Sequence, residues 1–571
     1  MDIENNINNN KYADLNFLCT KCYENLSKGF YNKALSFANE VLKLNPHEIK
    51  IRRTAAICLT YMFDFDNIFN YISPEDVNIL HFIMQRKEEM NNKITIHPCY
   101  KNIYSFMKTL SYSGAYFPKV TIEYDSTNNN RYVVAKDDIK KGEIALYVPK
   151  HSLIDLNTAA STYYGNKIVL LMAQGKLRSP KHCLLSSFLL QAQLNKDAKY
   201  KYYFDILPND FKTFPVYYNE HELSLIKGTS FLKMLISKKE TLLDDYNTLC
   251  NEFVSDNYKE LYTYDDFVKA RMIVGSRVFG VKINGKKIEV LAPFADMLNH
   301  HTKHQTTWFY NDKTQAFMIQ AIDDIKKGSE LYDSYGNKTN SRFLLNYGFV
   351  IEDNAQKEVE IEVDYAEEEV PLFMKKKLWM DGTFKRKFVL NDKSDSNGVV
   401  DLFSYLRFIV FDDENEVKRL YTQISKGMDF ILSEDIQTYI PVFYMVRPFL
   451  IENEIMMLKE LKRICECALA MYTCTLSEDY ELLRSKGGDM SVNERNCIVI
   501  RRDEKEVLGF MIEFAEECKR IIEGVKCQQE LKDMIKKKEI KERYHGYIQS
   551  IMELFDKKDG DDDNDNEHTN S

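Results

Sequence analysis

The chain has 571 residues, a formal net charge of -9 at pH 7, and 44% hydrophobic and 13% aromatic residues. That length allows three or four domains with separate hydrophobic cores. The acidic balance argues against nucleic-acid binding through a broad basic surface, because phosphate contacts need clustered Lys and Arg. No apolar stretch of about 18 residues occurs and the N-terminus is polar, so we expect neither membrane spanning nor secretion.

The twelve cysteines show no framework spacing. This is typical of a reducing compartment, and we expect the protein in the cytoplasm or nucleus. Cys19 and Cys22 form a C-x-x-C pair, and Cys465, Cys467 and Cys474 lie close together. Both groups fall in helical sequence without a second Cys or His pair at zinc spacing. We therefore predict buried or half-buried thiols there and no metal site.

The N-terminal part of the chain is predicted to be helical after a disordered start. Residues 1–13 are polar and rich in Asn, and the spacing of apolar residues predicts helices over 14–90. The turn, aromatic, packing and closing positions of a tetratricopeptide repeat are occupied by Gly29, Tyr31, Ala34 and Pro46. One repeat alone cannot bury a continuous core, so a helical hairpin packed on the next domain is an equal alternative.

Short β-rich runs broken by turn residues follow, from about 95 to 155 and again from 268 to 355. Between them, residues 158–267 show helical periodicity. Residues 360–556 form a second long helical region, and residues 557–571 are an acidic tail that cannot fold alone. This order predicts an α+β fold, in which a helical insert splits a β-rich core and a helical domain follows.

Two segments carry the most specific signal in the chain: PFADMLNH at residues 293–300 and DDIKKGSELYDSYGNKTNSRFLLNYGFV at residues 323–350. They resemble the SET-domain protein methyltransferases, and more narrowly the split-SET class of Rubisco large-subunit lysine methyltransferase and actin-histidine methyltransferase. The likeness extends from SGAYFPKVTIEYD to NERNCIVIRRDEKEVLGFMIEF and leaves residues 1 to about 90 outside. It implies a SET core over 95–355 and a helical C-terminal substrate-binding-like domain.

The resemblance implies S-adenosyl-L-methionine as the cofactor and a protein side chain, with lysine favoured, as the methyl acceptor. In-line transfer needs the nucleophile, methyl group and sulfur to be aligned, and the acceptor amine must be neutral. Deprotonating a lysine at pH 7 costs about 4–5 kcal/mol, and a narrow apolar channel lowers that cost. Tyr335 corresponds to the family's catalytic tyrosine beside the transferred methyl, and Tyr347 to the second tyrosine of the channel.

The same resemblance implies the cofactor contacts. Asn299 and His300 match an Asn-His pair that contacts the amino-acid end of the cofactor, and Asp296 stands shortly before them. Arg277 matches an arginine that anchors the cofactor carboxylate through its rigid fork of donors. The remaining expected contacts are Tyr335 itself, the triplet Thr339, Asn340 and Ser341, and the loop residues Asn130 and Arg131.

That loop departs from the family pattern. The family carries a Gly-x-Gly loop that lets the backbone approach the cofactor closely, whereas this chain reads Asn130-Arg131-Tyr132. Asn tolerates a positive φ at modest cost, but Tyr132 cannot mimic a missing side chain. Either the loop is rebuilt with the Tyr132 ring turned away, or the ring narrows the cofactor site and lowers affinity.

Three functions remain open at this point. The resemblance favours a lysine methyltransferase acting on a non-histone protein, with a histone less favoured. A histidine methyltransferase is the alternative within the class, but those enzymes carry a polar Gln-Asn pair after the arginine, where this chain has Val278 and Phe279. The third is a catalytically weak SET scaffold that binds other proteins. We expect a monomer with a protein substrate and no nucleic-acid or membrane partner.

Overall fold

The computed structural model describes residues 2–72, 76–195, 199–372, 376, 385–413, 447–485 and 489–556. The chain divides into two units. The first comprises Met1–Phe211 and Lys239–Asn337, and the second comprises Lys212–Lys238 and Lys338–Ser571. The predicted acidic tail, residues 557–571, lies outside the described residues. Among the described residues, no helix is long and apolar enough to cross a membrane.

Five helices open the first unit: α1 (Asp2–Ser27), α2 (Tyr31–Leu44), α3 (Ile49–Tyr61), α4 (Val77–Ile96) and α5 (Cys99–Tyr112). Helix α1 corrects the prediction of disorder for residues 1–13, because nothing between Asp2 and Ser27 is a Gly or Pro that would stop a helix. The predicted packing alanine, Ala34, is fully buried in the core that these helices share.

The N-terminal hairpin also contacts the chain that follows it. Gly29 turns from α1 to α2 with φ of 76°, and a Cβ there would come within 2.8 Å of the Tyr116 ring. Phe30 packs on the same ring with centroids 4.9 Å apart. Both constraints explain why glycine occupies this turn, and the hairpin is therefore packed on the segment that enters the β core.

Residues 99–112 form α5, which corrects the prediction of a β core starting at about 95. The apolar side chains of this stretch recur at i, i+3 and i+4 and are buried on one face: Tyr100, Ile103, Phe106, Met107 and Leu110. The first strand begins only at Val120. A helix thus precedes the β core, and the helical periodicity in the sequence of this segment was overlooked.

The β core of the first unit consists of short strands. They are β1 (Val120–Asp125), β2 (Asn130–Ala135), β3 (Ile144–Pro149), β4 (Ile154–Asp155), β5 (Val278–Ile283), β6 (Lys286–Leu291), β7 (Asn299–His300), β8 (Thr306–Asn311), β9 (Ala316–Ala321) and β10 (Tyr332–Asp333). Strands β1 and β2 form a hairpin, β3-β9-β8 and β4-β6-β5 form antiparallel sheets, and β7 pairs with β10 in parallel.

A helical insert splits this core, as predicted. Its helices are α6 (Leu156–Ala160), α7 (Tyr163–Ala173), α8 (Pro180–Leu194), α9 (Lys201–Ile206), α10 (Glu220–Leu225), α11 (Ser230–Glu252), α12 (Tyr258–Leu261) and α13 (Tyr264–Arg277). The last helix continues ten residues past the predicted end at 267, with a capping box between Thr263 and Asp266 at its start. Arg277 is therefore the final residue of a helix.

The second unit contains α14 (Asn340–Tyr347), β11 (Val359–Val363), β12 (Arg386–Leu390), α15 (Asn397–Val410), α16 (Ile451–Leu469), α17 (Leu476–Ser485), α18 (Val492–Gly524), α19 (Gln528–Lys536), α20 (His545–Ile551) and α21 (Glu553–Asp556). The antiparallel pair β11–β12 corrects the prediction that residues 360–556 are helical throughout. Val359, Ile361 and Val363 are buried at alternate positions, which is the period of a strand.

The unit boundaries also differ from the predicted domain boundaries. Residues 212–238, predicted within the insert, and residues 338–355, predicted within the SET core, belong to the second unit. The reason is a shared hydrophobic cluster, which consists of Tyr218, Ile226, Phe231, Leu235, Leu344, Leu345, Cys497 and Ile500. Burial of these side chains joins segments far apart in sequence, which no local pattern reveals.

Candidate functional site

A strained turn lies at the centre of the candidate site in the first unit. Phe294 has φ of 79°, a left-handed conformation that is rare for a residue with a side chain, and a single 3-10 turn, Ala295–Met297, follows it. The Phe294 ring is fully buried and packs on Phe117 with centroids 4.9 Å apart. Ring packing therefore holds a turn that would be unfavourable alone, as is common at functional sites.

The turn places Asp296 in a buried polar cluster. Its Oδ2 accepts a hydrogen bond from the Tyr203 hydroxyl at 2.7 Å and lies 3.5 Å from Nη1 of Arg277, which also donates to the Asp296 carbonyl. Burial raises the pKa of Asp296, and Arg277 opposes that shift. Among the described residues, Oδ1 of Asp296 and Nε of Arg277 are buried without a hydrogen-bond partner.

Tyr335 is held beside His300. The parallel pairing of β7 and β10 aligns Asp333 with His300 two residues before this tyrosine. The Tyr335 hydroxyl donates to the carbonyl of Leu298 at 2.8 Å, and its backbone N–H donates to Nδ1 of His300 at 3.1 Å. The two rings stack with centroids 5.3 Å apart. Because Nδ1 accepts, a neutral His300 ring carries its proton on Nε2.

Asn299 connects Asn130, at the start of β2, to Glu330, which precedes β10. Its amide nitrogen donates to Oε1 of Glu330 at 2.8 Å, and its amide oxygen accepts from the Asn130 side chain at 3.4 Å. Glu330 also accepts from the Tyr332 hydroxyl at 2.8 Å. The structure therefore brings together the predicted residues Asn130, Asn299, His300 and Tyr335 around β7.

Asn130, Arg131 and Tyr132 are the first residues of β2, which corrects the prediction of a loop there; the turn of the β1–β2 hairpin lies between the paired residues Asp125 and Asn130. The positive φ falls on Asn129, with φ of 49° in the turn, and not on Asn130. Strand alternation puts the half-buried Tyr132 on the same face as Asn130 and puts Arg131 on the other face. Arg131 is buried, being 9% exposed.

The other four predicted residues lie in the second unit. Thr339 precedes α14, and its hydroxyl donates to Oε1 of Glu358 at 2.9 Å; Ser341 is buried in the first turn of this helix. The Asn340 amide donates to the Ile351 carbonyl and the Asp503 carboxylate, and accepts from the Ile351 N–H and the Asn354 amide. These bonds use the hydrogen-bonding positions of the Asn340 side chain, so a ligand contact by this residue falls to its backbone.

Tyr347 is the last residue of α14. Its ring lies within an aromatic group, with centroids 6.0 Å from Phe343 and 6.2 Å from Phe349, and the Lys338 ammonium is 5.6 Å from its centroid. Burial raises the pKa of Tyr347, so its phenol stays protonated at neutral pH. The following Gly348 has φ of 78° and ends the helix.

Sequence reasoning missed three polar residues of the first-unit site. Tyr203 is in the insert, 93 positions before the Asp296 that it contacts, and no local pattern points to it. Glu330 and Asp333 stand inside the most specific motif, so their carboxyl groups next to Tyr335 were a visible signal. Asp333 is 2% exposed, and burial raises its pKa to about 7.

The cysteines are thiols in the structure. All twelve are free, Cys22 and Cys465 are buried, and burial raises the pKa of Cys22 to about 11. Within the described part of the chain, no group of three or more His, Cys, Asp or Glu side chains is arranged to hold a metal ion.

Comparison with known proteins identifies the domains. A family model of the SET domain matches residues 130–336, and a model of the Rubisco LSMT substrate-binding domain matches residues 367–508. The tobacco (Nicotiana tabacum) chloroplastic ribulose-1,5 bisphosphate carboxylase/oxygenase large subunit N-methyltransferase is 26% identical over 420 residues, which cover 71% of this chain and 80% of the relative. The chain therefore carries a SET domain followed by a Rubisco LSMT substrate-binding domain.

Other relatives of this chain are named for different targets. The chloroplastic fructose-bisphosphate aldolase-lysine N-methyltransferase of Arabidopsis thaliana is 26% identical over 428 residues, covering 72% of this chain and 82% of the relative. The actin-histidine N-methyltransferase of Danio rerio is 26% identical over 384 residues, covering 66% and 61%. A crystal structure of the SET domain of LSMT bound to lysine and AdoHcy shares the fold, with a TM-score of 0.58, 23% identity and coverage of 75% of this chain and 93% of that one.

Proposed function

We propose that this SET-domain methyltransferase transfers a methyl group from S-adenosyl-L-methionine to the side-chain amine of a lysine in a non-histone protein. The observation that carries the proposal is the fixed Tyr335 phenol. Its proton points at the Leu298 carbonyl and its ring is stacked on His300. The lone pairs of its oxygen therefore have a set direction, which suits a group that orients an amine and attracts a polarised methyl.

The buried polar atoms of the first unit fit the amino-acid end of this cofactor. The Nε of Arg277 is a charged donor suited to a carboxylate, and Oδ1 of Asp296 is an acceptor suited to an ammonium group; both are buried without a partner among the described residues. Bound there, the cofactor supplies an electrophilic methyl group on a positively charged sulfur. Arg277, Asp296, Asn299 and His300 hold and orient it in this proposal.

The second-unit residues enter the proposal with narrower roles. Tyr347 is the second phenol of the lysine channel, and its raised pKa keeps it a neutral hydroxyl that does not compete as a nucleophile. Thr339, Asn340 and Ser341 contact the cofactor, in the case of Asn340 through the backbone. The support for these roles is the motif that they occupy, together with the SET match to the relatives.

An aromatic group next to Arg277 favours lysine over histidine as the acceptor. The ring of Phe279, two residues after this arginine, packs edge-on against Trp308 and Phe317 with centroids 5.4 and 4.9 Å away. Such a wall offers ring faces to the apolar stem of a lysine, whereas an imidazole acceptor needs a hydrogen-bond partner to orient its ring. The relatives include both lysine and histidine enzymes, so the acceptor requires a direct test.

A weakly active SET scaffold is the second candidate, and a specific observation favours it. The Asn299 amide is already engaged by Glu330 and Asn130, and Tyr132 lies on the strand face of Asn130. A cofactor that contacts Asn299 must compete with these side chains. This reading predicts that S-adenosylhomocysteine binds with an affinity too low to be useful in a cell.

The deciding experiment combines labelling with residue identification. The full chain is incubated with methyl-labelled cofactor and an extract from cells that lack the protein, and the labelled protein is hydrolysed for amino-acid analysis. Labelled ε-N-methyllysine in a non-histone protein supports the proposal; labelled methylhistidine supports the alternative acceptor. If calorimetry shows no binding of S-adenosylhomocysteine and no label transfers, the scaffold is correct.

The proposal also includes a setting for the enzyme. The free thiols suit a reducing compartment, so we place the enzyme in the cytoplasm or nucleus, as a monomer acting on protein. Light scattering of the purified chain and imaging of a tagged chain test these two statements. A dimer in solution, or a tagged chain confined to an oxidising compartment, would contradict them.

A further inference from the structure

Arg131 is a buried arginine with few hydrogen bonds. Its Nη1 donates to the carbonyl of Asn129 at the long distance of 3.4 Å, its cation lies 5.3 Å from the Tyr124 ring centroid, and its buried Nε has no partner among the described residues. A guanidinium has five N–H donors, so one long hydrogen bond and a buried Nε without a partner among the described residues leave this group incompletely satisfied. Burying a charge in this way is unfavourable unless a counter-ion compensates it.

The charged group with the largest electrostatic effect on Arg131 has the same sign. Strand β2 packs against the turn Ala295–Met297. Arg277 contacts Asp296, which is in this turn. Burial lowers the pKa of Arg131, and the positive charge of Arg277 lowers it further. The other described groups that act on Arg131 are the Tyr124 phenol and the Cys99 thiol, so no carboxylate of the described chain compensates it.

Asp296 is not enough to balance two cations. It lies beside Arg277, shares Oδ2 with the Tyr203 hydroxyl, and burial favours its uncharged form. The region around β2 and this turn therefore holds more buried positive than negative charge, together with unpartnered donors on both arginines. A ligand that brings one negative charge and two acceptor oxygens would satisfy both deficits.

We propose that Arg131 and Arg277 form a two-arginine site for the carboxylate of the cofactor's amino-acid end, with Arg131 binding through its side chain. The inference rests on the proposed use of S-adenosyl-L-methionine and deepens it. It assigns a role to the residue that the Gly-x-Gly resemblance treats only as backbone. Without the two glycines, the backbone of residues 130–132 approaches the cofactor less closely, and the second guanidinium compensates by binding the carboxylate.

The test compares two ligands that differ in the carboxylate. S-adenosylhomocysteine carries the amino-acid end, and 5′-methylthioadenosine has the same adenosine and sulfur without it. Calorimetry on the full chain should show that Arg131→Met weakens S-adenosylhomocysteine at least tenfold and changes 5′-methylthioadenosine less than twofold. Arg178→Met, which removes an exposed arginine paired with Asp244, is the matched control and should change neither.

Two further measurements distinguish a loss of ligand binding from a loss of folding. Arg131→Lys keeps a charge but loses the fork, so it should show the same selective loss at a smaller size. Without ligand, Arg131→Met should melt no lower than the wild type, because it removes an uncompensated buried cation. Equal loss for both ligands, or unchanged S-adenosylhomocysteine affinity in a folded variant, overturns the inference. A wild type that binds neither ligand overturns the proposed cofactor itself.

Discussion

Two clusters of buried charges, one in each unit, differ in how completely their polar atoms are paired. In the second unit, the Asp479 carboxylate accepts hydrogen bonds from Nε of Arg501 at 2.6 Å and from Nζ of Lys505 at 2.8 Å. These side chains are at most 6% exposed. In the first unit, Arg131, Arg277 and Asp296 each keep a buried polar atom without a partner among the described residues. Complete pairing stabilises a fold, whereas incomplete pairing leaves atoms for a ligand.

Two buried carboxyl groups sharpen this contrast. Glu504 of the second unit accepts from the backbone N–H groups of Ser230 and Phe231 at the start of α11, and from the hydroxyls of Ser230 and Tyr472. It caps a helix with both oxygens engaged. Among the described residues, Asp296 has one engaged oxygen and one without a partner. Burial raises the pKa of both, so hydrogen-bond satisfaction distinguishes them and burial does not.

The largest effect is expected where pairing is complete. Asp479→Asn removes the carboxylate and leaves the Arg501 and Lys505 cations buried, so the free energy of unfolding should fall by about 3–5 kcal/mol. Chemical denaturation of the full chain measures it. Asp244→Asn, which breaks an exposed pair with Arg178, is the matched control and should cost below about 1 kcal/mol. A similarly small change in unfolding free energy for both variants would contradict the claim that the completely paired cluster stabilises the fold.

Tyr335→Phe should have the next largest effect, on rate and not on stability. The substitution removes only the hydroxyl group, which in the wild type donates a hydrogen bond to the Leu298 carbonyl and so fixes the ring. We expect methyl transfer to fall roughly 100- to 1,000-fold with an unchanged melting temperature. Tyr347→Phe is the companion variant, with a milder loss or a changed number of methyl groups added. Retention of most wild-type turnover by Tyr335→Phe removes this residue from the reaction.

Asp333 makes the stability of the first unit depend on pH. Its folded pKa of about 7 exceeds the unfolded value of about 3.9, so its stabilising effect is complete below about pH 4 and is lost as the pH rises through about 7. Asp333→Asn should therefore raise stability at pH 8 by about 2–4 kcal/mol and leave it unchanged at pH 4. Melting curves at both pH values test this, and a gain that is equal at both would refute the assignment.

Removal of the Asn-His side chains should affect ligand binding more than folding. Asn299→Ala loses the link to Glu330, and His300→Ala loses the acceptor for the Tyr335 N–H. Each should weaken S-adenosylhomocysteine about tenfold, which is about 1.4 kcal/mol. Calorimetry measures affinity and thermal denaturation checks stability. Unchanged affinity in both variants would show that the cofactor is held elsewhere.

The smallest effect on affinity is expected at the Gly-less loop. If the loop is rebuilt, Tyr132→Gly should change S-adenosylhomocysteine affinity by less than about threefold and lower stability by about 1–3 kcal/mol, through lost ring packing and a more flexible unfolded chain. Tyr132→Phe keeps the ring and serves as the control. A tenfold gain in affinity for the glycine variant would show that the ring obstructs the site and would favour the scaffold reading.

Local patterns were sufficient for the class of the fold and for the motif. Short β-rich runs broken by turn residues predicted strands in the region that contains β5–β6 and β8–β9, and helical spacing predicted the insert. The prediction failed at α5, which was assigned to the β core although its apolar residues repeat at helical spacing. The strand pair β11–β12 was missed because each strand is only five residues long, which is too short for a clear alternating pattern.

The sequence by itself determined which residue types stand in the site, because Asn299, His300 and Tyr335 belong to motifs whose order is specific. Only the tertiary structure decided which polar atoms are satisfied. Asn340 and Arg131 are both polar residues predicted to contact the cofactor. The Asn340 side chain is used by protein partners, whereas the buried Nε of Arg131 has no partner among the described residues. Hydrogen-bond satisfaction depends on neighbours from distant segments, and a local pattern does not contain them.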